Sequence, residues 1–232
     1  MTSHTASGPL ARAKRLLSGV EGLLAVGPET LGSFTLRRLV AILVVFGAFY
    51  GAVMGSFGGD AGPRVQQMLY SALKVPLLLG VTFALSVPTF FVTMTLMGLR
   101  DDFAVCLRAL MATQAALAIV LASFAPLTLL WYASSADYSG SLLLNAAMFG
   151  VASLSVQQVL RRLYRPLIRR DPRHRAMMRA WLGIFAFVGI QMGWVLRPFI
   201  GNPAEPTTFF RHEAWGNAYE MVARHVMTSL GL

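Results

Sequence analysis

The chain alternates between long apolar blocks and short polar connections. Five blocks stand out, at about 39–57, 73–98, 103–132, 141–160 and 180–199. Each reaches the roughly 20 residues that a helix needs to cross a hydrocarbon core about 30 Å thick. The second and third are longer, and must tilt, kink or project from a bilayer. Pro76 and Pro88 lie in the second, and Pro126 lies near the end of the third. Inside lipid every backbone N–H and C=O must be satisfied by the protein itself, which leaves helices and closed barrels. The strict alternation of barrel strands is absent. The pattern predicts an all-α polytopic membrane bundle of about five transmembrane helices over 39–199. A basic arm (1–38) precedes it and a tail (200–232) follows.

Composition points the same way. Hydrophobic residues make up 56% of the 232 positions and charged ones 13%, against about 25% charged in a soluble domain. A net charge of +10 raises the question of nucleic acid, but the basic residues collect at the block ends, where anionic headgroups would meet them. No nucleic-acid partner is expected. Fifteen of the twenty Lys and Arg residues precede the first block or lie between blocks two and three or four and five; five fall on the opposite side. The positive-inside rule then sets the N-terminus in the cytoplasm and the C-terminus outside. Arg outnumbers Lys 18 to 2, a bias that suggests a GC-rich bacterial genome and hence a bacterial inner membrane. The single cysteine, Cys106, rules out an intramolecular disulfide or a cysteine-based metal cluster.

The flanks read as amphipathic segments. Leu16 to Val26 is interrupted by Ser18, Gly19, Glu21 and Gly22, too polar for a secretory h-region. Its Leu16, Leu17, Val20, Leu23 and Leu24 suit either an interfacial helix beside Arg12, Lys14 and Arg15 or a loosely ordered basic tail. In the C-terminal segment Trp215, Tyr219, Val222 and Val226 fall on one helical face, as in a helix lying along the outer membrane surface or packed on the bundle.

Three patterns carry candidate function. Gly47, Gly51, Gly55 and Gly59 repeat every four residues, with a shorter version at Gly189 and Gly193. Such spacing lets another backbone approach closely, within this chain or from another subunit. Arg161, Arg162, Arg165, Arg169, Arg170, Arg173, Arg175 and Arg179 crowd the fourth connection, read as a loop. They either anchor the topology or contact anionic lipid or an acidic partner. Gln191 lies within the fifth helix and Arg197 at its outer end, before Pro198 stops it. Arg197 is expected to bond Glu205, Glu213 or helix-end carbonyls and so anchor the tail, and Lys74 to snorkel outward. The other intramembrane polar residues, among them Thr82, Gln114 and Asn145, serve best as interhelical hydrogen-bonding groups. No catalytic or phosphate-binding motif is present, and the outer His212 and His225 match no metal motif. No cofactor is expected.

The segments LKVPLLLG (73–80) with Pro88, QMGWVLRPFIG (191–201), Phe209-Phe210-Arg211, Asn217 and Tyr219 resemble a sparsely characterised group of bacterial multi-helix membrane proteins, loosely similar to Yip1-like proteins. The resemblance covers about residue 69 to the C-terminus and implies a non-catalytic adaptor role. The expected function is a non-enzymatic anchor, scaffold or accessory subunit of a membrane assembly, with other membrane subunits or self-association as partners. Its rival is a channel or transporter for a small solute or ion, resting on Pro88, Gln114, Asn145 and Gln191. A lipid-modifying enzyme using the outer histidines is the remainder.

Overall fold

A computed structural model describes residues 35–58, 61–202 and 206–210, without the side chains of 61–63. The N-terminal arm, Gly59, Glu205, Glu213 and the Trp215/Tyr219 segment lie outside the described residues. The rest is helical: α1 (Leu36–Met54), α2 (Ala61–Leu96), a 3-10 turn (Arg100–Asp102), α3 (Phe103–Ser123), α4 (Ala125–Ser134), α5 (Tyr138–Arg170) and α6 (Arg173–Leu196). With α3 and α4 taken together, five segments are long and apolar enough to cross a membrane. This is the all-α bundle expected of an integral membrane protein.

The ends of the helices have local causes. Thr35 caps α1 by accepting from the Arg38 N–H, and Asp137 caps α5 by accepting from the Ser139 and Gly140 N–H groups. Such caps satisfy donors that the first turn leaves unpaired. α2 ends at Gly98, whose φ of +71° lets Leu99 N–H turn back to the Met94 carbonyl at 2.9 Å. That left-handed conformation favours glycine. The third apolar block breaks at Phe124, just before Pro126, because proline has no N–H and crowds the preceding turn. Pro76 and Pro88 remain inside α2, where neighbouring helices support the backbone.

Helices extend beyond the apolar blocks. The Arg-rich segment, expected as a loop, is helical on both sides of a two-residue turn at Asp171-Pro172. Arg has good helix propensity, so the backbone continues where the apolar pattern stops. Packing does not follow chain order. α1 packs on α2 and α3, α6 on α2, and α5 on α3; α5 and α6 touch each other far less. α3 is the most enclosed segment. Ala109, Ala112, Ala115, Ala116 and Ala118 are fully buried along it, and their small size lets the surrounding helices close in.

Candidate functional site

The glycine repeat joins α1 to α2. A Cβ at Gly47 would meet Pro76 at 3.4 Å, one at Gly55 the Gln67 carbonyl at 2.7 Å, and one at Gly51 would collide with the Ser71 carbonyl and lie 3.0 Å from the Ala72 Cα. The groove therefore packs within the chain. Gly189 faces Thr82 of α2, at 3.5 Å from the same construction, whereas Gly193 has nothing within 4 Å.

The two motifs of the resemblance meet at the end of the bundle where α6 stops. Gln67, Ser71 and Lys74 share one face of α2, and all three are buried. Gln67 Nε2 donates to the Phe199 carbonyl at 3.1 Å, Ser71 Oγ donates to the same carbonyl, and Lys74 Nζ donates to the Pro198 carbonyl at 2.6 Å. The Lys74 ammonium also lies 4.9 Å from the centre of the Phe209 ring, and Phe209 packs edge-on against Tyr70. Lys74 does not snorkel outward as expected; it is 0% exposed, and its charge meets a carbonyl and an aromatic face instead of water. Lys74 thus joins α2 to the segment that follows α6. Arg197 lies over the Trp194 ring, 3.3 Å from its centre. The Glu205 and Glu213 pairings fall outside the described residues.

The opposite end is basic. Arg161, Arg162, Arg165, Arg169, Arg170, Arg173, Arg175 and Arg179 are all exposed on the ends of α5 and α6. Beneath them sits a polar cluster that the sequence pattern did not suggest. His174 is 0% exposed; its Nε2 is 3.0 Å from Asp102 Oδ2 and its Nδ1 is 3.9 Å from Cys106 Sγ. With the proton on Nε2, Asp102 accepts it and Nδ1 faces the thiol. Cys106 is also 0% exposed, and a thiolate nucleophile needs an approachable sulfur. Arg170 pairs with Asp102 at 3.5 Å. Arg173 pairs with Asp171 at 2.8 Å and donates to the Met97 carbonyl at 3.0 Å. Those two Arg173 contacts tie the α5–α6 turn to the end of α2. Arg173 also holds the Asp171 carboxyl below its ordinary range, first through side-chain and then backbone hydrogen bonds.

Asn145 and Gln114 sit in different polar settings. Asn145 is fully buried, accepts from Tyr50 Oη at 3.0 Å and donates to Tyr132 Oη at 2.8 Å, while Tyr132 donates to the Met54 carbonyl. Gln114 instead lines a separate cleft among α2, α3, α5 and α6. Gln191 does not line that cleft. Among the described residues, no cluster of three or more His, Cys, Asp or Glu is arranged to hold a metal.

Fold and sites together define a class: an all-α, multi-helix membrane bundle with a basic end, a polar latch at the other and a side cleft between them. Comparison with protein-family models, curated proteins and solved structures returns no match.

Proposed function

We propose that the protein is a non-enzymatic accessory or scaffold subunit of a bacterial inner-membrane assembly, held to its partner through the basic end. The observation that carries this reading is the array of eight exposed arginines on the projecting ends of α5 and α6. Their density exceeds what orientation alone requires. The array rests on a fixed base, since His174–Asp102 and Arg173–Met97 bind α6 to the α2–α3 connection. A preformed, predominantly positive surface favours acidic partners and speeds encounter with them. The filled axis at α3 also favours a scaffold over a solute path through one chain.

The test is purification in mild detergent with mass spectrometry of everything retained. Wild type is expected to bring down a defined larger complex. A variant with Arg161, Arg165 and Arg169 changed to Gln should lose most of it while keeping its own size and thermal stability. Retention of nothing but this chain, or equal retention by the variant, would sink the proposal.

A further inference from the structure

The weak contact between α5 and α6 leaves a side cleft with a volume of about 340 Å³. Its walls come from four helices: Leu79 of α2, Leu117 of α3, Val156 and Leu160 of α5, Leu182 and Phe185 of α6. Ala186 and Ile190, exposed on α6, form part of its rim. This volume is many times the roughly 30 Å³ of a water molecule and lies at the small end of ligand pockets, about 300–1,000 Å³.

The polar content of the cleft is specific. Thr82, Thr113, Gln114, Ser153 and Gln157 line it, and among the described residues no Asp, Glu, Lys, Arg or His does. Two of these side chains are satisfied within their own helices: Thr113 Oγ donates to the Ala109 carbonyl and Gln157 Nε2 to the Ser153 carbonyl. Two are not. Gln114 Oε1 and Thr82 Oγ1 have no hydrogen-bond partner among the described residues, although Gln114 is only 4% exposed and Thr82 1%. Leaving such groups buried and unsatisfied costs about 1–3 kcal/mol each, and in a membrane bulk water does not reach them. Gln114 Oε1 can only accept, so it calls for a donor on the ligand.

We infer that this cleft binds a neutral, lipid-soluble molecule whose hydrocarbon body fills the apolar walls and whose hydroxyl group donates to Gln114, with Thr82 beside it. Neutrality follows from the lining, because a charged ligand would lose its hydration without meeting a counter-charge. The hydroxyl follows from the orphaned acceptor. A phospholipid does not meet both conditions: its acyl chains carry no donor, and its headgroup belongs at the interface rather than beside residues in the middle of the helices. Entry is lateral, between α5 and α6, which pack far less on each other than α6 does on α2 or α5 on α3.

The test uses the full chain in phosphatidylcholine nanodiscs and a photoreactive diazirine derivative of hexadecanol. Labelling should map to peptides of α3, α5 and α6 that line the cleft. Unlabelled hexadecanol should compete about threefold to tenfold better than hexadecane, the factor that one net hydrogen bond provides. Gln114→Leu should abolish that preference while labelling persists. Ala186→Trp leaves Gln114 in place but narrows the rim, and should reduce labelling itself. Both variants are to be checked for wild-type size and thermal stability; if Gln114→Leu does not fold, the competition in wild type and the Ala186→Trp result still decide. Equal competition by hexadecanol and hexadecane in wild type would mean that the cleft holds only bulk chains. Labelling confined to other surfaces, or undiminished in Ala186→Trp, would place the ligand elsewhere. Any of these three results overturns the inference.

Discussion

At the scale of single residues, position in the groove decides what a side chain costs. Gly51→Leu forces a side chain into the backbone of α2 at Ser71 and Ala72, which cannot move aside as a flexible side-chain tip can. Overpacking of this kind typically costs about 1–3 kcal/mol. Gly193→Leu, with open space around it, should be near neutral, and detergent-unfolding midpoints of the two variants would check the contrast. Equal midpoints would show that the α1–α2 groove is not close-packed. Lys74→Met keeps most of the side chain's bulk but leaves the Pro198 carbonyl without its Nζ donor. A cost of about 1–3 kcal/mol is expected, together with faster proteolysis near residues 198–210. Unchanged cleavage would show that Lys74 does not hold this segment. Asp171 supplies the pH dependence. Its folded-state pKa is depressed by Arg173, so its contribution is present above the unfolded value and is lost as pH falls through the folded one. The pair is exposed, which makes the effect small. Thermal midpoints between about pH 5 and pH 3, the range around and below the ordinary carboxylate pKa, should fall more for wild type than for Asp171→Asn. Parallel falls would remove Asp171 from the account.

At the scale of elements, length sets what leaves the membrane. α5 has 33 residues, about 50 Å at 1.5 Å per residue, against a core of about 30 Å. Its C-terminal turns therefore project, and these turns carry Arg161 to Arg170. A cysteine introduced at Arg169 should react with a membrane-impermeant maleimide in vesicles opened at that face, whereas one at Leu154, exposed only on the apolar surface, should not. Cys106 is buried and gives little background. Equal labelling at both positions would mean that α5 does not span as described.

At the scale of the whole molecule, fifteen basic residues on one side and five on the other predict, by the positive-inside rule, a cytoplasmic basic end. Reporter fusions at Ser135 and after Leu232 should both behave as extracytoplasmic, and cytoplasmic activity at both would refute the topology. The five spanning segments were legible in the sequence because lipid imposes one demand on every residue of a span, so composition over about 20 positions is enough to find them. The glycine spacing likewise foretold a close helix contact, since four-residue periodicity is a property of one helix. Which helix lies opposite is not such a property, and only tertiary packing settled that it is α2 of the same chain. The same limit hid the buried state of Lys74, whose acceptor at Pro198 is 124 positions away, and the His174–Asp102 pair, 72 positions apart. The cleft was least legible of all. Thr82 and Gln114 read in sequence as ordinary interhelical hydrogen-bonding groups, and only the packing of α5 on α3 and α6 on α2, with a gap between them, left both without partners.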